Sequence, residues 1–392
     1  MVEAAFACKT TRGFSKLKPY NAGSIPRHPV TYIPLFVNTP YRAPLHLRNG
    51  HVQTLLAGRM NPPAPLDYTR ERLELPDGDF VDLDWGPEVP GRRLVILSSG
   101  LEGHSRRDYM RRMARAAMAA GCRALAWNYR GCGGDPNRKV SFYNGGMIED
   151  LEAVIARAAA CGFDDIFLVG FSFGGNLVLN LLGHRAGRLP RQVRAAAAVS
   201  VPLDLGDCSR RMDRGLSRVY RAYFLRRFRV KIRAKMSAHP GRIDDSAFAR
   251  IRSVGDYDNA YTAPLFGFPS ADAYYAWASC NRVLDRVRLP ALLLNSSDDP
   301  LLGPDSLSAA RTAANPALHP ELTRHGGHLG FISPDDWLGR RVMGWLMLAP
   351  AQDFRNVDQP RALESANRIC SGLIEGGGGF GWVLSHAKAR SP

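Results

Sequence analysis

The sequence predicts an α/β protein: a mostly parallel central sheet with helices on both faces and one helical lid insertion. Two observations carry this. From Arg72 onward, short apolar runs of strand length alternate with helix-patterned stretches of about 10–15 residues, the order that builds βαβ units and a parallel sheet. The alternation then breaks once, between about residues 203 and 285, in a basic segment of helical pattern that lies between two strand candidates. An insertion there would cover the carboxyl edge of the sheet, where open α/β sheets place their ligands.

Each element has its own local reason. Residues 73–75 and 80–85 flank Asp77-Gly78, a hairpin signal. Leu94-Val95-Ile96-Leu97 is the continuous apolar run of a buried strand. A helix over 106–120 ends at Gly121, and a strand over 123–128 leads into the glycine-rich loop 130–137. Helix 147–160 closes at Gly162, followed by strand 166–169 and helix 173–184. Strands 195–201, 291–295 and 318–323 and a closing helix over 335–348 complete the series. Residues 44–350 thus read as one domain. Residues 1–43 read as an irregular, Pro-containing lead-in, and 351–392, with the run Gly376 to Gly379, as a flexible tail.

Composition narrows the class. The chain has 392 residues, 45% of them hydrophobic, enough for a sizeable core. No apolar run approaches the ~20 residues that cross a bilayer. The first twenty residues lack the apolar stretch of about 7–15 residues found in secretory signals, although their basic character leaves an amphipathic targeting peptide open. The expectation is a cytoplasmic protein. Cys8, Cys122, Cys132, Cys161, Cys208, Cys280 and Cys370 are odd in number and scattered, with no C-x-x-C pair, so they read as reduced thiols. No dinucleotide, Walker or His-Glu-x-x-His pattern is present, so neither cofactor nor metal is expected.

The net charge of +16 raises the question of anionic partners. Arginine is spread along the whole chain and no nucleic-acid module accompanies it, so nucleic acid is not expected. Residues 209–236 are the exception. Arg210, Arg211, Arg214, Arg218, Arg221, Arg226, Arg227, Arg229, Lys231, Arg233 and Lys235 are interleaved with Leu216, Tyr220, Tyr223, Phe224 and Phe228 near helical spacing. Two readings stand: a lid helix with a solvated charged face, or a basic amphipathic helix resting on anionic lipid at the membrane surface.

The strongest chemical signal is Gly170-Phe171-Ser172-Phe173-Gly174, set between strand 166–169 and helix 173–184. Strand, G-x-S-x-G, helix is a nucleophile elbow. A serine on so sharp a turn tolerates only glycine-sized neighbours two residues away on either side. The turn also puts its hydroxyl beside the positive end of the following helix, with the Phe173 N–H facing a developing oxyanion.

Such a serine needs a base, and the base needs an acid, in the chain order Ser, Asp or Glu, His. Arg324-His325-Gly326-Gly327-His328 follows the last predicted strand, where the base belongs; His328 is preferred and His325 is the alternative. Ser297-Asp298-Asp299-Pro300 opens from strand 291–295. Either carboxylate could reach the imidazole; Asp299, directly before the proline, is preferred, and the bland alternative for Asp298 is a turn residue bonding its own backbone. A second oxyanion donor is expected from Ser99-Gly100-Leu101-Glu102-Gly103, with the N–H of Leu101 pointing into the site.

These residues, together with Leu47-Arg48-Asn49-Gly50-His51-Val52-Gln53-Thr54, Asn128-Tyr129-Arg130-Gly131-Cys132 and Tyr261-Thr262-Ala263-Pro264, resemble the YheT-like and ABHD-type branch of α/β hydrolases, the AB-hydrolase-4 family. The resemblance runs from about Pro44 to Trp345. It implies the α/β-hydrolase fold, a triad at Ser172, Asp299 and His328, and hydrolysis of carboxylic esters, short-chain or acylglycerol-type. An acyltransferase built on the same triad, or a non-catalytic hydrolase-like binding protein, are the alternatives. The chain departs from the family pattern in carrying Ser99-Gly100 where a His-Gly pair is usual. His51 and Gln53 read as structural, without an account of their role.

Overall fold

The computed structural model describes residues 40–349 except 61, 62, 64 and 308–314. The expected lead-in up to residue 39 and the tail beyond 349 lie outside the described residues.

Eight strands form one sheet: β1 (Thr69–Glu74), β2 (Phe80–Trp85), β3 (Arg93–Ser98), β4 (Arg123–Asn128), β5 (Asp165–Phe171), β6 (Val193–Val199), β7 (Ala291–Ser296) and β8 (Leu318–Thr323). Their spatial order is β1-β2-β4-β3-β5-β6-β7-β8. β1 and β2 form the antiparallel hairpin, with Gly78 at positive φ in its turn, and β2 is antiparallel to β4. Every other pairing is parallel. The apolar runs fill both faces at once because strand side chains alternate. Leu94, Ile96, Ile166 and Leu168 join the core on one face; Val95, Leu97, Phe167 and Val169 join the core on the other.

Two helices cover the first face, α3 (Ile148–Ala160) and α4 (Phe173–His184). The opposite face is covered by α2 (Asp108–Ala119) and by α10 (Trp337–Leu348). A short helix, α1 (Gly50–Leu56), precedes the sheet, capped by the Asn49 side chain on the Val52 N–H.

Between β6 and β7 the chain is helical, as the broken alternation predicts. Its main parts are α5 (Leu205–Arg211), the 21-residue α6 (Arg218–Ala238), α7 (Val254–Tyr257), a π-helical turn (Asp258–Thr262), α8 (Ala263–Leu265) and α9 (Ala271–Ala278). Asn176 and Asn180 on α4 fasten this insertion to the domain. Their side-chain amides donate to the carbonyl of Ala278, and Asn176 accepts from the Cys280 N–H.

The basic run on α6 is less solvated than the sequence suggests. Lys231 and Lys235 point inward, Lys235 donating to the Asn137 carbonyl, while Arg221, Arg229 and Arg233 pair with aspartates. Spacing alone cannot separate these from solvated arginines, because their partners come from other segments. The five cysteines among the described residues are free thiols. No helix among the described residues is long and apolar enough to cross a membrane.

Candidate active site

Ser172 sits where β5 turns into α4, with φ 52° and ψ −117°. This is the left-handed side of backbone space, disfavoured for a residue with a Cβ. Its N–H is anchored to the Val199 carbonyl at 2.8 Å, and its carbonyl accepts from Asn176. The flanking glycines are obligatory on contact distance. A Cβ on Gly170 would lie 2.3 Å from the Gly174 carbonyl oxygen, and one on Gly174 would lie 2.4 Å from that of Ser98.

The structure brings the three preferred residues together. His328 Nε2 lies 2.8 Å from Ser172 Oγ, and His328 Nδ1 lies 2.8 Å from Asp299 Oδ2. A carboxylate only accepts, so Nδ1 carries the proton and Nε2 is the free acceptor facing the hydroxyl. The Asp299 side chain is fully buried, and its other oxygen takes the N–H groups of Leu301 at 2.8 Å and Leu302 at 3.2 Å. Pro300, which has no N–H, opens the turn that supplies both donors.

Asp298 takes neither of the roles open to it in the sequence, partner of His328 or self-bonded turn residue. It does not bond its own backbone: Oδ1 accepts from the Gly327 N–H at 2.9 Å and Oδ2 lies 3.3 Å from His325 Nδ1. The two adjacent aspartates thus divide the histidine loop, one orienting His328 and the other bracing the glycines before it.

The role missing for the segment around Gly50 becomes visible here. Thr54 Oγ1 accepts from the His328 N–H at 2.8 Å, and buried Gln53 Oε1 accepts from the Ile332 N–H at 3.1 Å. Gly50 presses on the Asp298 carbonyl, where a Cβ would lie 1.8 Å away. Helix α1 is therefore a clamp on the loop that carries His328. His51 reaches the other way: its Nδ1 lies 3.1 Å from the Tyr220 hydroxyl and its ring stacks on Tyr220 of α6. No sequence spacing links residues 50–54 to 328, so only the fold could reveal this.

The loop expected to supply the second oxyanion donor is a turn closed by Gly103 N–H on the Gly100 carbonyl at 2.8 Å. Three tyrosines hold it: Tyr109 accepts from the Gly100 N–H, Tyr129 donates to the Ser99 carbonyl and Tyr143 accepts from the Glu102 N–H. Serine in place of the usual histidine leaves the loop well anchored. Among the described residues, neither the Leu101 nor the Phe173 N–H has a hydrogen-bond partner. Asn128-Tyr129-Arg130 is the support beneath: Asn128 bonds Asp84, and buried Arg130 pairs with Asp150 at 2.6 Å and Asp77 at 2.7 Å.

Two cavities meet at Ser172. One, about 820 Å³ with its mouth, runs into the insertion between Phe173, Phe224, Phe228 and Tyr257. The other, about 1710 Å³ with its open side, is a cleft beside His328, bounded by Leu55, Tyr223 and Leu329.

Asp258 lies in the wall of the inner cavity, accepting from Thr262 Oγ1 at 2.6 Å and from the Tyr275 hydroxyl. Burial raises its pKa to about 6 despite these two bonds. A raised carboxyl pKa means that its contribution to stability is whole below the unfolded value of 3.8 and is lost as pH rises through about 6. Asp258→Asn is therefore expected to stabilise the protein at pH 8 by on the order of 2 kcal/mol more than at pH 4. Thermal unfolding of both proteins at the two pH values checks this, and a pH-independent difference would refute it.

An elbow serine, a histidine–aspartate relay and a mostly parallel sheet define a hydrolase-type α/β protein. The family profile described as alpha/beta hydrolase fold matches residues 93–335, and the chain belongs to that family. Over 311 residues it is 34% identical to YheT of Escherichia coli (strain K12), which its name assigns provisionally to the esterases; the match covers 76% of this chain and 90% of that one. It is 30% identical over 290 residues to phospholipase ABHD3 of Mus musculus, covering 71% and 70%. Among solved structures, the Pyrococcus furiosus esterase Pf2001 superposes with a TM-score of 0.50 at 16% identity, over 72% of this chain and 92% of that one, a likeness of fold.

Proposed function

We propose that the chain is a serine esterase, with Ser172 as nucleophile, His328 as general base and Asp299 as the acid that orients it. The observation that carries this reading is the unbroken relay of two 2.8 Å contacts ending on the strained elbow serine. His328 Nε2 takes the Ser172 proton as Oγ attacks the ester carbonyl. The N–H groups of Leu101 and Phe173 receive the oxyanion, each worth on the order of 3 kcal/mol in the transition state. The protonated histidine then gives its proton to the leaving alcohol. Water, activated by the same nitrogen, releases the acid from the acyl-enzyme.

Carboxylic esters with a substantial apolar part are the substrate class, short-chain esters or acylglycerol-type lipids. The aromatic inner cavity and the naming of relatives as phospholipase and esterase support it. Hydrolysis of p-nitrophenyl esters from acetate to palmitate is the test; turnover on none of them would end the reading.

An outer face of α6 supports contact with an anionic lipid surface. Val219, Tyr223 and Val230 are 55%, 45% and 65% exposed there, flanked by exposed Arg218 and Arg226 and followed from Leu216, 69% exposed. Tyr223 also borders the cleft, so lipid bound to this face would lie at its mouth. Wild type is expected to sediment with phosphatidylserine-containing vesicles, and Val219→Glu/Val230→Glu to lose most of that binding. Equal sedimentation of both would remove the membrane contact.

A further inference from the structure

The oxyanion loop contains an oddity that the elbow and the relay leave unexplained. Gly100 to Gly103 is a four-residue turn, closed at 2.8 Å, whose third residue, Glu102, has φ 55°. A positive φ at that position belongs to type II turns, which favour glycine there. A glutamate holds it only if its surroundings over-determine the conformation.

They do, and mostly from the insertion. Glu102 is 4% exposed. Its carboxylate is ion-paired with the Lys231 ammonium of α6 and accepts from the Tyr143 hydroxyl at 2.9 Å. The same hydroxyl accepts from the Glu102 N–H at 2.8 Å. The Glu102 carbonyl accepts from the Arg227 guanidinium, one turn earlier on α6, at 3.1 Å. Lys231 is itself enclosed, its ammonium 4.6 Å from the Tyr143 ring centre and 3.3 Å from the Cys132 thiol. Every polar group of Glu102 is thus gripped, and two of the gripping side chains come from a helix that lies far along the chain. Leu101, whose N–H is free, is the adjacent corner of the same turn.

We propose that Lys231 is a positioning residue for the reaction: by clamping Glu102 it fixes the turn that aims the Leu101 N–H at the oxyanion. The proposal rests on the serine-esterase reading. It makes the insertion part of the catalytic apparatus as well as a wall of the substrate cavity, since the oxyanion loop reaches its conformation only when α6 is seated. The alternative role is a plain staple, a buried ion pair that holds the insertion down and affects stability alone.

The two roles separate on readouts that stability does not move. An alkyl trifluoromethyl ketone adds to Ser172 Oγ: the C–O bond forms, the hydroxyl proton passes to His328 and the carbonyl oxygen becomes an oxyanion. Its affinity therefore reports the oxyanion donors, while the KM of p-nitrophenyl butyrate reports largely ground-state binding. Lys231→Met is expected to lower kcat by about 10–100-fold, with KM changed less than about threefold and ketone affinity falling in parallel with kcat. Lys231→Arg, which keeps the charge, is expected to recover part of the loss. Because Lys231→Met leaves a carboxylate buried without its cation, Glu102→Gln is the companion variant. It keeps an acceptor for Tyr143 and removes the ion pair, and it is expected to show the same kcat-selective loss.

Folded variants with lowered melting temperature but wild-type kcat and ketone affinity would reduce the pair to a staple and overturn the proposal. A rise confined to KM would overturn it too, assigning Lys231 to the cavity wall. If wild type neither turns over the ester nor binds the ketone, the esterase reading itself has failed. The two failures are therefore distinguishable.

Discussion

Ser172→Ala is expected to lower kcat/KM for p-nitrophenyl butyrate by about a thousandfold or more while the fold survives. On the serine-esterase reading, the size follows from the relay. His328 Nε2 faces only the Ser172 hydroxyl at 2.8 Å, so without Oγ there is no atom to form the acyl-enzyme, and the histidine can at best activate a water in the wrong place. What remains is binding and the two backbone donors, which sustain weak catalysis in enzymes of this kind. The fold survives because the alanine Cβ meets the same backbone geometry that the serine Cβ already meets. His328→Ala is expected to cost about as much as Ser172→Ala, and the double variant little more than either, because the two act as a unit. Equal turnover by wild type and Ser172→Ala would remove Ser172 as the nucleophile, and inertness of both on every ester would return the chain to the binding-protein alternative.

The elbow was legible because its chemistry is local. Gly170, Ser172 and Gly174 are fixed by contacts within a few residues and with the adjoining strand β3, and a strand and a helix announce themselves on either side. The sheet was legible for a similar reason, since continuous apolar runs such as 94–97 are what two-sided burial demands. The supporting residues were not. Thr54 bonds the His328 N–H across 274 positions and Lys231 reaches Glu102 across 129, and neither pair leaves a periodicity. Lys231 and Lys235 were hidden further by their setting, a run of arginines in which a buried lysine looks like one more solvated charge. The role of Asp298 was not legible, because turn chemistry offers bonds to its own backbone, whereas its partners come from the histidine loop.

The adjacent aspartates give the second large expectation. Asp299→Asn is expected to lower kcat by about ten-thousandfold near pH 7, and Asp298→Asn by less than about tenfold. The first substitution keeps the shape of the site and inverts one hydrogen bond. Asp299 Oδ1 is committed to the Leu301 and Leu302 N–H groups, so an asparagine would keep its oxygen there and turn its amide nitrogen toward His328 Nδ1. A donor facing Nδ1 selects the tautomer with the proton on Nε2, which then cannot accept from Ser172. The imidazolium formed during attack also loses its counter-charge. At Asp298 the same change is milder, because an asparagine oxygen can still accept from the Gly327 N–H and only the contact with His325 weakens. His325 touches neither Ser172 nor Asp299 in the relay, so the cost falls on loop stability, read as a lowered melting temperature. Steady-state kinetics of the two variants on p-nitrophenyl butyrate decides between neighbours that differ by one position in sequence. The reverse ranking would mean that His328 takes its orientation from Asp298, and that the 2.8 Å contact with Asp299 is not the one that works in catalysis.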